Sequence, residues 1–303
     1  MYEKKITCNV LLVTYNHEKY IKQAIESILE QKTNFKYEII VADDCSTDQT
    51  INIISEYANE YPELFKLLPK QDNLGITLNY KRGFAACNGE YVAVLEGDDY
   101  WTDPQRLQKH VDFLESNKAC VLTFNQFVVH DMKKKRHKVQ PWSWDKSFQL
   151  INTSELVLDN FIGNFSTCVY RTKNIKMIKE SLYELTVYDW MTNIVVSQEG
   201  LIAYLPEVMS VYRLHPNGTW SQKDEVEKLK ETIKLIDDYD NFLEKLYHEE
   251  FVIHKNRLME RISIIEGPLD VTNKESVKNI IKKYVPPIFI HFLKLVIPPK
   301  FYK

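Results

Sequence analysis

The stretch that most constrains this chain is Tyr91-Val92-Ala93-Val94-Leu95-Glu96-Gly97-Asp98-Asp99-Tyr100-Trp101. Tyr91 to Leu95 is short, apolar and partly β-branched, the composition of a strand covered on both faces. Glu96, Asp98 and Asp99 follow at once, so three acids stand just past the carboxyl end of a buried strand, the edge where open α/β sheets bind ligands. Carboxylates this close repel one another, and a metal ion or a solvated turn is needed to hold them together. The triplet by itself leaves both readings open, because Asp and Gly are also common turn residues.

The flanking sequence supplies a context. Ile6 to Thr14 reads as a central strand and Glu18 to Gln31 as a helix; Tyr37 to Ala42 is a second strand, ending in Asp43-Asp44-Cys45-Ser46-Thr47-Asp48. Ser46 with Gln49 predicts a capping box for the next helix. A short strand at Leu64 to Leu68, a helix from about Thr77 to Cys87, a helix started by Asp103 and Pro104, and a strand at Ala119 to Phe124 continue the alternation. The expected architecture is α/β, a doubly wound, mostly parallel sheet whose strand ends meet at one crevice. Beyond Asn125 the pattern turns irregular, with Trp142-Ser143-Trp144, a helix near Ser154 to Phe161, a strand near Thr167 to Tyr170, a helix beginning near Asp189, and two short strands in Leu201 to Leu214 broken at Pro206. Val226 to Ile265 repeats apolar residues at three or four positions, as an amphipathic helix or helical pair. The apolar run Ile288 to Ile297, between Pro286-Pro287 and Pro298-Pro299, makes roughly 15 Å of helix, too short to span a bilayer. It is expected either to lie in a membrane interface or to pack against the preceding helix.

Composition removes several function classes. The 39 basic and 42 acidic residues are interspersed and sum to −3, which argues against a nucleic-acid groove. Only Lys133-Lys134-Lys135-Arg136 forms a basic run, which reads as a loop tip. The five cysteines lack any CxxC spacing, so neither a disulfide framework nor a zinc site is indicated, and a reducing compartment fits. The apolar run after Lys4 and Lys5 is interrupted by Asn9 and is expected to be a strand rather than a signal peptide.

Val13-Thr14-Tyr15-Asn16, Val41-Ala42-Asp43-Asp44-Cys45-Ser46-Thr47-Asp48, Asn73-Leu74-Gly75, Gly89-Glu90-Tyr91 and Glu96-Gly97-Asp98-Asp99 together resemble the inverting glycosyltransferases of family 2, in that family's order and approximate spacing. The resemblance covers about residues 5 to 222. It implies the GT-A fold, Rossmann-like, over 1–222, divided into a nucleotide-sugar-binding half at 1–125 and an acceptor-side half at 126–222, with a helical C-terminal region and apolar tail at 223–303. By position it implies that Thr14 and Tyr15 contact uridine, Asp43 accepts from the uracil ring, Asp98 lies near the ribose and diphosphate, and Asp99 ligates Mn²⁺ or Mg²⁺. Glu96 stands where the family often has Asp and is left without a role. Asp189 resembles the acceptor-side base, although an acid at a helix start is also an ordinary cap. His215 resembles a residue that approaches the metal or diphosphate, Arg82 is placed to reach the diphosphate, and Lys81, Trp101 and Trp220 are weaker candidates for donor or sugar contacts.

The function so implied is metal-dependent transfer of a sugar, with inversion, from a nucleotide diphosphate donor, UDP-linked by the motif, to a saccharide or lipid-linked saccharide in cell-surface polysaccharide synthesis. The implied location is the cytoplasm, with peripheral contact to the inner face of the membrane through residues 284–303. Two rivals stay open: a sugar nucleotidyltransferase, which would want a Gly-rich phosphate loop that is not seen after the first strand, and a catalytically inactive nucleotide-sugar-binding or scaffold module.

Overall fold

The computed structural model describes residues 5–133, 147–218 and 222–267, with the backbone of 136–139. Trp142-Ser143-Trp144, Trp220 and the tail at 284–303 lie outside the described residues. The chain divides into two compact units, one up to Ser221 and one from Gln222.

The first unit alternates as its apolar periodicity demands: β1 (Cys8–Thr14), α1 (Ile21–Leu29), β2 (Tyr37–Asp43), α2 (Thr50–Glu60), β3 (Phe65–Leu67), α3 (Ile76–Ala86) and β4 (Tyr91–Glu96). β5 (Tyr100–Trp101), α4 (Arg106–Ser116), β6 (Cys120–Asp131), β7 (Arg136–Val139), β8 (Gln149–Ile151) and α5 (Thr153–Val157) follow. β9 (Cys168–Arg171), α6 (Thr172–Ile175), α7 (Asp189–Ser197) and β10 (Leu201–Leu214) complete it. The strands form one sheet in the order β3-β2-β1-β4-β9-β6-β10-β5, with β7 on β6 and β8 on β10. β3, β2, β1 and β4 are parallel, as are β6 and β10; β9 runs antiparallel between β4 and β6. The sheet is therefore mixed, with a parallel nucleus.

That nucleus is covered on both faces, which is why its strands carry no polar alternation. Val10, Leu12, Ile39, Val41, Ala93 and Leu95 pack with Ile21, Ile25 and Ile28 of α1, Ile54 of α2, and Leu107, Val111 and Leu114 of α4. Leu11 faces the other way, against α3, where a Cβ on Gly83 would fall 2.6 Å from Leu11 Cδ1. Thr14 is in register with Asp43 and Val13 with Glu96, so the carboxyl ends of β1, β2 and β4 stop at one level. This is the shared crevice that the alternation predicts.

Two local expectations fail for identifiable reasons. β10 is one strand of 14 residues rather than two, because register shifts between Leu205 and Ser210 absorb Pro206 in a bulge. The expected capping box of Ser46 and Gln49 does not form: α2 begins at Thr50, and the Ser46 hydroxyl bonds Asp43 instead.

The second unit contains α8 (Glu225–Phe242) and α9 (His248–Glu266), resolving the Val226 to Ile265 periodicity into a pair. Asp224 and Glu227 form a reciprocal capping box at the start of α8. Ion pairs of Glu225 with Arg261, Asp237 with Lys255 (2.6 Å) and Lys230 with Glu266 (2.7 Å) fix the two helices antiparallel.

Candidate functional site

The loops after β1 and β2 are tied together by their own polar residues. Asn16 takes the left-handed conformation (φ 55°), which Asn tolerates better than most residues. Its amide donates to Ser46 Oγ (2.9 Å) and its Oδ1 accepts from the Thr47 amide (2.8 Å). The His17 amide donates to Thr50 Oγ1, the Glu18 amide to Asp48 Oδ2, and the Gln49 amide to Glu18 Oε2. Asp43 closes its own turn, accepting from the amide and hydroxyl of Ser46. Asp44 accepts from the Leu74 and Gly75 amides (2.9 Å each), while its carbonyl accepts from Asn73 Nδ2. The motif Asn73-Leu74-Gly75 is thereby locked to the end of β2, with Gly75 at φ +80° starting α3.

Arg82, expected from the sequence to reach a diphosphate, is used elsewhere. Its Nε donates to Asn79 Oδ1, one Nη to the Pro69 carbonyl and the other to the Asp43 carbonyl. It clamps the strand end that carries Asp43. Lys81 likewise pairs with Glu180. Trp101 is buried, with its Nε1 on the Ser166 carbonyl, and so belongs to the core.

The carboxylate triplet separates into three environments. Gly97 runs so close to β1 that a Cβ there would lie 2.6 Å from Thr14 Oγ1 and 2.9 Å from His17 Nδ1, so only glycine brings the turn this near. Asp98 Oδ2 lies 2.9 Å from His215 Nε2 and 3.8 Å from His17 Nε2. Burial alone would raise this carboxyl, but the facing His17 ring and the His215 bond outweigh burial and hold it below the usual range. Tyr20 lies against His215 at 4.5 Å between ring centroids. Asp99 is wholly buried and accepts from Asn164 Nδ2 (3.0 Å), Ser166 Oγ (2.6 Å) and the Arg213 amide (3.0 Å). The residue expected to ligate a metal is thus filled by protein donors, and the carboxylate beside the two histidines is Asp98. Glu96 accepts from the Tyr80 hydroxyl (2.9 Å), and burial, then Asp98 and Asp99, push its carboxyl well above the ordinary range.

Asp189 opens α7. Its Oδ1 accepts from the Trp190 amide (2.8 Å), whereas its Oδ2 is closed to water and has no hydrogen-bond partner among the described residues. Burial pushes this carboxyl up to about 6, only partly offset by the Trp190 amide and Asn160. Glu96 and Tyr80 each feel the charges of both Asp98 and Asp189, so the two acids lie near the same pair of side chains. Thr14 is buried, with its hydroxyl on His17 Nδ1 (3.2 Å), and the Tyr15 ring is exposed at the loop.

Sequence reading did not single out His17, Ser166 or Arg213. Arg213 spans the site: its guanidinium bonds the Asp98 carbonyl and Gln23 and lies over the Tyr100 ring at 4.4 Å. Two of them carried a signal: His17 adjoins the Thr14-Tyr15-Asn16 turn and Arg213 lies two residues before His215. Ser166 comes from a distant segment and has none.

The family model for glycosyl transferase family 2 matches residues 9–178. An uncharacterized protein of Mycobacterium tuberculosis is 37% identical over 213 residues, which are 70% of this chain and 60% of that protein. The match therefore spans less than two thirds of that relative. A Bacillus subtilis protein named for teichuronic acid biosynthesis, TuaG, is 27% identical over 71% of this chain and 82% of its own. Among solved structures, S. aureus TarS 1–349 in complex with UDP-GlcNAc superposes with a TM-score of 0.66 at 19% identity, covering 98% of this chain and 83% of that one. The mannosyltransferase PcManGT from Pyrobaculum calidifontis, in complex with GDP-Man and Mn²⁺, gives a TM-score of 0.60 at 13% identity, over 96% and 87%. These likenesses show the GT-A fold.

Proposed function

The chain belongs to glycosyl transferase family 2, and on that premise we propose that it is an inverting glycosyltransferase moving a sugar from a UDP-linked donor to a saccharide or lipid-linked saccharide in cell-surface polysaccharide synthesis. The observation that carries this reading is the division of labour among the acids: Asp98 sits with His17 and His215, and Asp189, at the start of α7, has its Oδ2 without a hydrogen-bond partner among the described residues. The relative named for teichuronic acid biosynthesis and the structures in complex with UDP-GlcNAc and GDP-Man support the substrate class.

The donors at Asp98 and His215 fit a divalent ion that takes one carboxylate and one imidazole and leaves its other positions to phosphate and water, with imidazole favouring Mn²⁺ over Mg²⁺. No group of three metal-ligating side chains exists among the described residues, so the protein contributes a partial set. Such an ion would neutralise charge on the departing nucleoside diphosphate. We assign the metal to Asp98 and His215 rather than to Asp99, whose three hydrogen bonds give it the work of fixing Ser166 and Arg213 against β4. Tyr15 and Thr14 form the floor for the nucleoside. Asp43 keeps lone pairs beyond its Ser46 bonds and can accept from a uracil N–H. Asp189 takes the proton of the attacking hydroxyl: a carboxyl raised to about 6 is still ionised at neutral pH yet more basic than an exposed one.

Peripheral membrane contact through 284–303 remains part of this proposal; no described helix is long and apolar enough to cross a membrane. A thermal-shift screen of uridine and guanosine nucleotides with and without Mn²⁺ tests the donor assignment, with Mn²⁺-dependent stabilisation by UDP expected. No stabilisation by any uridine nucleotide would overturn it. Transfer at background rate despite UDP binding would favour a non-catalytic binding module.

A further inference from the structure

The pairing of β10 with β5 consists of Ser210 with Trp101 and Val211 with Tyr100. Beyond Val211, β6 still holds one side of β10, but no strand pairing ties its end to the turn that carries Asp98. Arg213 makes that connection with both its backbone and its side chain. Its amide donates to Asp99 Oδ1 (3.0 Å) and its guanidinium to the Asp98 carbonyl. His215 follows two residues later, with Nε2 2.9 Å from Asp98 Oδ2. The spacing of this carboxylate and imidazole therefore depends on how firmly Arg213 joins the strand end to the turn.

That spacing has a chemical meaning. An octahedral divalent ion with bonds of about 2.1 Å keeps adjacent ligand atoms roughly 3 Å apart, so Asp98 Oδ2 and His215 Nε2 already stand as neighbouring ligands of one ion would. The guanidinium that maintains this is itself held in place. It lies 4.4 Å from the centre of the Tyr100 ring and 5.4 Å from that of Tyr20, and Gln23 Oε1 accepts its second terminal nitrogen. Tyr20 also lies against the His215 ring, so the same side chain braces both. Arg213 is 5% exposed and both its terminal nitrogens are engaged by protein acceptors, which leaves it no free face for a nucleotide. A lysine, with one ammonium on a flexible stem, could not serve the Asp98 carbonyl and Gln23 in one fixed geometry.

We propose that Arg213 is a positioning residue for the metal: it sets the spacing of Asp98 and His215, and through it the affinity for the divalent ion, without touching ion or nucleotide. This rests on the assignment of the metal to Asp98 and His215. The test uses the full chain and four variants, Arg213→Met, Arg213→Lys, Gln23→Ala and His215→Ala. Mn²⁺ is titrated in the presence of UDP and followed by electron paramagnetic resonance, with UDP alone as the blank, and UDP affinity is measured separately by calorimetry in EDTA. Arg213→Met should bind Mn²⁺ roughly 10- to 100-fold more weakly, as is usual when a partner that orients a metal ligand is removed, with UDP affinity in EDTA unchanged. Arg213→Lys should fall between it and the wild type. Gln23 is exposed, so Gln23→Ala should keep the wild-type melting temperature and still bind Mn²⁺ about threefold more weakly. If Arg213→Met does not fold, Arg213→Lys and Gln23→Ala decide by the same criterion. A wild type that binds no Mn²⁺, or His215→Ala binding it normally, overturns the metal assignment and this proposal with it. Loss of Mn²⁺ binding in His215→Ala with unchanged affinity in the folded Arg213 and Gln23 variants overturns the positioning role alone, as does a loss of UDP affinity in EDTA as large as the loss of Mn²⁺ affinity.

Discussion

Substituting Asp189 by Asn separates a catalytic base from a helix cap by the sign of a stability change. Burial raises this carboxyl from 3.8 to about 6. A shift of roughly 2 units corresponds to at most about 3 kcal/mol. The folded-state value lies above the unfolded one, so the folded protein holds the proton more tightly. The ionised carboxylate therefore destabilises the fold above about pH 6, and that penalty is relieved as pH falls through 6 towards 4. Asn keeps the shape and the bond to the Trp190 amide but carries no charge. Asp189→Asn should then be more stable than wild type at pH 8, by about 1 to 3 kcal/mol in urea unfolding, with the difference vanishing near pH 4. A cap alone predicts the reverse sign, because an acid in the first turn is favoured by about 0.3 to 1 kcal/mol over a neutral residue. UDP binding should persist while transfer is lost, and the wild-type rate should rise with pH through about 6 as the base ionises. A variant less stable than wild type at pH 8, or one with normal turnover, refutes the reasoning.

Other substitutions test the remaining assignments. Asp98→Asn should remove the Mn²⁺ dependence of UDP affinity and lose the part of stability that its charge gains from His17 and His215, whereas Asp99→Ala should leave that Mn²⁺ dependence in place and cost about 2 to 4 kcal/mol in denaturant unfolding by stranding the Asn164, Ser166 and Arg213 donors. The opposite pattern would return the metal to Asp99. Arg82→Ala should lower stability by about 1 to 3 kcal/mol through loss of its bonds to Asn79, Pro69 and Asp43, and weaken UDP only through that loss; a large drop in UDP affinity at unchanged stability would make Arg82 a direct diphosphate contact. Gly97→Ala should cost about 1 to 3 kcal/mol and disturb UDP binding, because its Cβ has no room against Thr14 and His17, as calorimetric unfolding and titration would show.

The parallel nucleus was legible in the sequence because strands buried on both faces are written as apolar runs, and β1, β2 and β4 each end in a recognisable polar turn. The antiparallel insertion of β9 was not, since nothing in Cys168–Arg171 encodes which strands it enters between. Likewise Pro206 marks a break in sequence but only a bulge in structure, because the long partner β6 resumes pairing beyond it. At the site, spacing located the acids without ordering them. Asp98 and Asp99 are adjacent and chemically identical, and what distinguishes them is which way each side chain faces. That is decided by Ser166, Asn164 and Arg213, whose sequence distance from the triplet is too great for any local pattern to report.

The triplet's initial difficulty, three acids too close together, is resolved by treating each one differently rather than by one shared counter-charge. Asp99 is held by neutral donors, one of which, Ser166, also accepts from the Glu96 amide and so fixes both ends of the turn. Glu96 is buried against the Tyr80 hydroxyl, where the cost of a second charge favours its protonated form. Asp98 alone of the three is held below the usual carboxylate range, between two imidazoles. The nucleotide side is stiffened by the hydrogen bonds joining Asn16, His17 and Glu18 to Ser46, Thr47, Asp48 and Thr50, so its geometry is set before any ligand arrives. Asp189 is only partly supported: the Trp190 amide and Asn160 offset some of its burial, and its other oxygen has no hydrogen-bond partner among the described residues. An acid kept at that energetic disadvantage by the fold has its full basicity available to a hydroxyl presented to it, which is the property a one-step displacement requires of its base.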